Sequence, residues 1–249
     1  MPILISPEQR KLAYNKTAGK APGIMFLGGF RSDMTGNKAL ALEALCKENG
    51  HAFVRFDYSG HGESEGDFAE GTITRWFEDA LAIFDSQSNG KQILVGSSMG
   101  GWLMTRLALT RPDRIHALVG IAAAPDFTIR RMWPQMSQSQ QAEILEKGVI
   151  HVPSDMGGTY PITKALIDSG NKESVFGMDM IPINCPVRLL HGTLDDVVPT
   201  RTSYEFAEKM VSADVQIMMV NGGDHRLSRE EDITLLSNTV SSLLGLQNS

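Results

Sequence analysis

Gln92-Ile93-Leu94-Val95-Gly96-Ser97-Ser98-Met99-Gly100-Gly101-Trp102-Leu103-Met104-Thr105-Arg106-Leu107-Ala108-Leu109 holds the fold-determining pattern. A short apolar run ending in glycine reads as a buried strand, and behind the glycines the apolar residues return at helical spacing. The stretch is therefore strand, tight turn and helix, with Ser98 at the turn. Gly96, Ser98 and Gly100 make a G-x-S-x-G pattern, in which a strained turn lifts a serine hydroxyl above the sheet. Glycine two positions to either side removes side chains that would collide with that backbone. The helix that follows starts at the serine, so the Met99 N–H and the positive end of the helix dipole face any oxyanion formed there.

The pattern alone is weak, and the chain contains it twice. Gly62-Glu63-Ser64-Glu65-Gly66 is the second match. Ser64 lies in a polar, Gly- and Glu-rich loop with no apolar helix immediately behind it, so Ser64 is the decoy and Ser98 the candidate.

Outward from the turn, strand and helix patterns alternate. Residues 3 to 16 read as one or two short edge strands. Gly23-Ile24-Met25-Phe26-Leu27 is a buried strand stopped by Gly28-Gly29-Phe30, and a helix is expected from about Gly36 to Asn49. Ala52 to Phe56 is another buried strand, and Thr72 to Ser86 an amphipathic helix with Thr72 as its N-cap. Ile115 to Ala124 is a strand ended by Pro125-Asp126. No hairpin dipeptide joins these strands, which predicts a mostly parallel sheet with helices on both faces. Ligands on such sheets bind at the carboxyl ends of the strands, here marked by Gly28, Asp57, Ser98 and Pro125.

Residues 126 to 183 break the rhythm. The segment is rich in Met, Gln, Ser and Pro, offers helices without an obvious core strand, and carries Phe127, Ile129, Met132, Trp133, Met136, Met156 and Tyr160. It reads as a small cap inserted over the site within one domain spanning 1–249. Its aromatic and Met residues either line an acyl pocket or pack within the cap. The sheet resumes at Cys185 to Leu190, followed by a helix at about Arg201 to Val211, a strand at Val215 to Val220, and a last helix at about Arg229 to Leu244.

Composition narrows the function classes. A hydrophobic fraction of 42% with 21% charged residues is that of an ordinary globular domain. The net charge of −6 and the lack of a Lys/Arg cluster beyond Arg130-Arg131 argue against a nucleic-acid surface. No run approaches membrane-spanning length, and the amino end lacks a charged segment followed by a long apolar one. A non-secreted protein without stable membrane insertion is expected, cytoplasmic in the simplest case. Two cysteines, Cys46 and Cys185, are too few for a disulfide framework and read as buried free thiols.

The sheet and turn resemble those of the α/β-hydrolase fold, in which the chain order is Ser, then Asp or Glu, then His, each in a loop after a strand. Ser98, Asp195 and His225 satisfy order and placement. Among six histidines only His225 lies between the last strand and the last helix. His191 ends a core strand and reads as structural. Asp195 is preferred to Asp196 on the His-Gly-x-x-Asp pattern of this fold. Asp57-Tyr58-Ser59-Gly60-His61-Gly62-Glu63-Ser64 resembles its D-x-x-G-x-G-x-S loop, which makes His61 a loop residue rather than a base. In this fold the second oxyanion donor follows an early strand, so the Phe30 N–H is expected to join that of Met99. Such chemistry calls for no cofactor and no metal.

A closer resemblance is carried by Arg55 to Gly60, Ile93 to Met104, Asn184 to Gly192 and Asp224-His225-Arg226. These blocks are similar to the mitochondrial palmitoyl-protein thioesterase and acyl-glucuronide esterase family of α/β-hydrolases and its bacterial relatives; across 126 to 183 the likeness is looser. The resemblance implies a serine esterase or thioesterase acting on a small-molecule ester or thioester or an S-acylated protein, with an acyl-glucuronide or small-ester esterase as the alternative. It also implies the mitochondrial matrix if the sequence is a mature eukaryotic form. Arg31, Phe127, Met132 and Trp133 are the expected substrate contacts, Arg31 and the Arg130-Arg131 pair suiting a glucuronide carboxylate. A hydrolase-fold protein that binds an apolar ligand with negligible turnover is the competing class. The oligomeric state is left open.

Overall fold

The computed structural model describes residues 1–154 and 157–246. The first half runs β1 (Ile3–Ile5), β2 (Lys11–Thr17), β3 (Lys20–Leu27), α1 (Asn37–Asn49), β4 (His51–Phe56), α2 (Ile73–Gln87), β5 (Gln92–Ser97), α3 (Met99–Thr110) and β6 (Ile115–Ile121). A π-helical turn (Thr128–Met132) leads into α4 (Trp133–Gln135), α5 (Gln138–Lys147), β7 (Val149–Pro153), β8 (Thr159–Thr163) and α6 (Lys164–Lys172). The chain closes with β9 (Val187–Gly192), α7 (Arg201–Lys209), β10 (Val215–Val220) and α8 (Glu230–Leu243).

Eight strands form one sheet in the order β1-β2-β4-β3-β5-β6-β9-β10. Only β1–β2 and β2–β4 are antiparallel; every other neighbouring pair is parallel. Register aligns the carboxyl ends: Leu27 lies opposite Gly96, and Ser97 opposite Ile121. The loop after β3, the turn after β5 and the exit of β6 therefore meet on one edge.

The central strands β5 and β6 are buried on both faces, which is why they read as unbroken apolar runs. On β5, Leu94 points into a core shared with Trp76, Phe84, Trp102 and Leu103 of α2 and α3. Ile93 and Val95 point into the opposite core, with Leu42 of α1 and Leu236 and Val240 of α8. Thr72 caps α2 by accepting the Arg75 N–H at 3.0 Å, as its sequence position implies.

Three details depart from expectation. β6 stops at Ile121, short of Ala124, because Ala122 takes a positive φ of 44° and the Ala124 N–H turns to the Ser98 carbonyl. β7 and β8 form an antiparallel hairpin apart from the main sheet, where the sequence pattern suggests helices alone. Cys185 is half-buried rather than buried, whereas Cys46 is buried and its thiol is pushed up to about 12, chiefly by desolvation.

Residues 126–183 pack onto α2 and α3. Asp126 is fully buried at φ 58°, and its carboxylate accepts the N–H groups of Val175 (2.9 Å) and Phe176 (3.0 Å) and the Ser174 hydroxyl. The start of the segment is thus tied to its end. The Trp102 indole donates to the Glu173 carbonyl at 3.0 Å, and the Ile73 N–H donates to Ser169 Oγ at 3.0 Å. Ile144, Ile150, Ile162 and Leu166 join the α2/α3 core rather than forming one of their own.

Candidate active site

Ser98 stands at the junction of β5 and α3 with φ 53° and ψ −116°, a region that non-glycine residues rarely enter. Its N–H donates to the Ile121 carbonyl (2.9 Å), and its carbonyl accepts the N–H groups of Gly101 (2.9 Å) and Ala124 (3.0 Å). Neighbouring strands therefore hold the strained turn in place. The flanking glycines are needed sterically: a Cβ on Gly96 would lie 2.3 Å from the Gly100 carbonyl oxygen, and one on Gly100 would lie 2.1 Å from that of Leu27.

His225 Nε2 lies 3.1 Å from Ser98 Oγ, and His225 Nδ1 lies 2.8 Å from Asp195 Oδ2. An ionised carboxylate only accepts, so Nδ1 carries the proton and the Nε2 lone pair faces the serine hydroxyl. Asp195 Oδ1 also accepts the N–H groups of Val197 (2.9 Å) and Val198 (2.7 Å). The Asp195 side chain is fully buried. Burial pushes its carboxyl upward, but hydrogen bonds from His191, His225 and the Val198 N–H hold it far below the usual carboxylate range. Asp196, the other candidate, is exposed in the same loop.

His191 has a larger part than its place at a strand end suggests. Nδ1 of its buried ring lies 2.7 Å from Ser203 Oγ, while Nε2 lies 2.9 Å from the Val198 carbonyl and 3.1 Å from Asp195 Oδ2. Both Nε2 neighbours only accept, so Nε2 is protonated and Nδ1 accepts the Ser203 hydroxyl. One carboxylate oxygen thus serves two histidines, one buried behind it and one facing the serine. The spacing from His191 to Asp195 is the signal the sequence offers for this. The two loops also touch directly: a Cβ on Gly192 would lie 2.2 Å from the Gly223 carbonyl oxygen, and the Leu194 N–H donates to that same carbonyl at 2.9 Å.

The loop after β3 reaches the serine as well. A Cβ on Gly29 would lie 3.4 Å from Ser98 Cβ, which brings the Phe30 backbone alongside. The Met99 N–H opens α3 and has no partner within the helix. Arg31 follows at φ 60°, its N–H donating to His61 Nε2 at 3.1 Å. His61 is buried and held neutral, its pKa lowered to about 4 chiefly by desolvation. It acts on the loop carrying Phe30 and makes no contact with the serine among the described residues.

The expected substrate contacts divide. Phe127 packs edge-on against Phe30 (5.6 Å between centroids) and Trp102 (5.9 Å), within the serine's surroundings. Met132 and Trp133 are half-buried against the α2/α3 core. The Arg31 guanidinium donates to Ser154 Oγ at 3.0 Å and lies over the Tyr160 ring at 4.2 Å, so it fastens the β7–β8 hairpin to the site's rim. Met156 lies outside the described residues. Among the described residues no cluster of three or more His, Cys, Asp or Glu side chains is arranged to hold a metal.

A serine on a strained strand-to-helix turn, with histidine and aspartate from later loops of a parallel sheet, defines a class. The chain belongs to the α/β-hydrolase fold family, whose model matches residues 26–157. Within that class it belongs with mitochondrial palmitoyl-protein thioesterase ABHD10. It is 44% identical to the Bos taurus protein over 244 residues, 97% of this chain and 79% of that protein, and 43% identical to the Homo sapiens protein over the same extent. The solved structure of mouse alpha/beta hydrolase domain-containing protein 10 is 42% identical and matches with a TM-score of 0.90 over 98% of each chain. A putative hydrolase from Agrobacterium vitis S4 is 38% identical, with a TM-score of 0.91 over 98% of this chain and 99% of that one. The chain is an ester or thioester hydrolase.

Proposed function

We propose that this hydrolase is an acyl thioesterase of the palmitoyl type, acting through an acyl-enzyme on Ser98. The observation that carries the reading is the unbroken hydrogen-bond chain from Ser98 Oγ through His225 to the buried Asp195 carboxylate. Ser98 Oγ attacks the acyl carbon as its proton passes to His225 Nε2, and Asp195 stabilises the imidazolium. The Met99 and Phe30 N–H groups hold the oxyanion of the tetrahedral intermediate. His225 then protonates the departing thiolate or alkoxide. In the second half it takes a proton from water, which attacks the acyl-enzyme and frees the acid and Ser98.

Residues 126–183 serve as the cap. Phe127 and Tyr160 meet Phe30 there, and with Met132 and Trp133 they supply apolar surface for an acyl chain, worth about 0.8 kcal/mol per buried methylene. Small thioesters and S-acylated proteins are both candidate substrates, the latter supported by the names of the ABHD10 relatives. Those relatives are mitochondrial by name and the Agrobacterium protein is bacterial, which supports an aqueous matrix or cytoplasm. Among the described residues no helix is long and apolar enough to cross a membrane.

The test is a rate comparison on p-nitrophenyl esters and S-acyl peptides of increasing chain length, with Ser98→Ala alongside. A kcat/KM that rises with acyl length on thioesters and vanishes in the variant is expected. Turnover confined to short oxygen esters would replace the thioesterase reading with a small-ester esterase.

A further inference from the structure

The loop from Asp57 to Ser64 takes no part in the steps proposed for Ser98, yet it bonds at two points to the loop that follows β3. The Asp57 carboxylate accepts the Met34 N–H at 2.7 Å, and His61 Nε2 accepts the Arg31 N–H at 3.1 Å. His61 is itself fixed in place. Its backbone N–H donates to the Tyr58 carbonyl at 2.9 Å, its carbonyl accepts the Ser64 N–H at 3.0 Å, and its ring lies edge-on among Tyr58, Phe68 and Trp76. Nδ1 faces the Ser59 carbonyl at 3.4 Å, so the ring proton sits there and the Nε2 lone pair is left for Arg31. Burial keeps the ring in that neutral state.

The receiving end of this bond is strained. Gly29 to Ser32 make a tight turn, closed by the Ser32 N–H donating to the Gly29 carbonyl at 3.1 Å, and Arg31 is its third residue at φ 60°. Turns that need a positive φ at that place take Gly or Asn, so an arginine stays there only if its surroundings hold it. Its N–H has no share in the bond that closes the turn. Rotating the Phe30–Arg31 peptide would return Arg31 to negative φ, but it would carry the N–H away from His61 and leave a buried acceptor unmet. That peptide is joined through the Phe30 Cα to the one that bears the Phe30 N–H. The Phe30 ring packs on Phe68 (5.1 Å between centroids) and Trp76 (5.8 Å), the same two rings that enclose His61.

We propose that His61 is a positioning residue of this hydrolase: by accepting the Arg31 N–H it holds the turn in the strained form that aims the Phe30 N–H at the oxyanion. The inference rests on the Ser98 reading and deepens it. The Met99 N–H is set by the start of α3, whereas the Phe30 donor stands on a loop and needs an external hold. What the role requires of residue 61 is an acceptor at the place of Nε2, not an aromatic ring.

The experiment compares His61→Phe, His61→Gln and His61→Asn with the parent on p-nitrophenyl butyrate at neutral pH. Counted from Cβ, the glutamine carbonyl oxygen matches Nε2 and the asparagine one matches Nδ1. In the Phe and Asn variants kcat should fall roughly tenfold to a hundredfold with KM held within about threefold, and the Gln variant should recover most of the loss. Hexyl trifluoromethyl ketone, whose adduct with Ser98 Oγ places an oxyanion in the same position, should lose affinity by the same factor as kcat/KM. An unchanged kcat in His61→Phe, equal losses in the Gln and Phe variants, or a loss that the ketone does not follow would each overturn the assignment. Should His61→Phe fail to fold, the Gln and Asn pair decides alone. A parent without Ser98-dependent turnover would overturn the hydrolase reading itself, and the role of His61 with it.

Discussion

The chain writes Gly-x-Ser-x-Gly twice and folds it two ways. At Ser98 the pattern sits between a buried strand and an apolar helix, takes a positive φ, and presents its hydroxyl to His225 at 3.1 Å. At Ser64 the hydroxyl turns inward, accepting the Ala13 N–H at 2.8 Å and donating to the Asp57 carbonyl at 2.6 Å, so that it joins β2 to the exit of β4. Even the glycines differ in purpose. Gly96 and Gly100 let backbones cross beneath a strained serine, whereas Gly62, at φ 46°, makes room for the Asp57 carboxylate, which a Cβ there would meet at 2.2 Å. The same five-residue pattern thus presents its serine hydroxyl to a histidine in one loop and fastens two strands in the other. What distinguishes them is the element on either side and whether a base is within reach.

The sharpest way to break this contrast is Ser98→Ala. Turnover should fall by up to about a million-fold, with the unfolding midpoint in urea little changed, since among the described residues the hydroxyl bonds only His225. Wild-type rates in that variant would remove Ser98 from the chemistry. Next in size is Asp195→Asn. The amide would turn a donor toward His225 or leave the ring in the wrong tautomer, and kcat should drop by roughly ten-thousand-fold with circular dichroism unchanged. A loss below tenfold would mean that the bond to Asp195 does not set the His225 tautomer.

Much of this contrast is legible in the order of residues alone. The run from Gln92 to Leu109 announces strand, turn and helix because β5 is buried on both faces and α3 is apolar along its length. Ser98, Asp195 and His225 can be picked out because each follows a strand of a parallel sheet, and register then brings strand ends together. What cannot be read depends on contacts between distant segments. Arg31 carries no mark that it will reach Ser154, 123 residues on; the sequence shows only that it follows the Gly28-Gly29-Phe30 turn. The β7–β8 hairpin escapes a reading based on the main sheet because its strands leave that sheet. Its local signal is present nonetheless: Val149 to Val152 and Thr159 to Thr163 flank a Gly157-Gly158 pair and are rich in β-branched and aromatic residues. His191 can be placed at a strand end, but its bond to Asp195 depends on how the loop between them turns.

A third perturbation acts within the Ser64 loop. His61 titrates at about 4 in the folded chain against about 6.5 when unfolded. The neutral ring is the one that folding favours, so its contribution is fully present above pH 6.5 and is lost as pH falls toward 4. The difference amounts to about 3 kcal/mol over that window. His61→Phe keeps a ring against Tyr58, Phe68 and Trp76 but removes the ionisation and the acceptor for Arg31. Urea unfolding from pH 7 to pH 4 should show the variant losing about 3 kcal/mol less than the parent, and identical slopes would mean that His61 titrates alike in both states.

The smallest expected effect is at Ser64 itself. Ser64→Ala removes a hydroxyl that satisfies a backbone donor and a backbone acceptor, both in buried surroundings. The Ala13 N–H is left facing a methyl group, and such an unmade bond costs about 1–3 kcal/mol. The loss should appear as a lower unfolding midpoint, because β2 is the strand through which β1 joins the rest of the sheet. Turnover per folded molecule should stay within about twofold, β2 being separated from the strand that carries Ser98 by β4 and β3. A Ser64→Ala variant that folds with undiminished stability would show that the loop hydroxyl fastens nothing. One that folds well but turns over slowly would show that the two copies of the pattern are coupled, through Asp57, whose carboxylate accepts the Met34 N–H at 2.7 Å and so reaches the loop that follows Phe30.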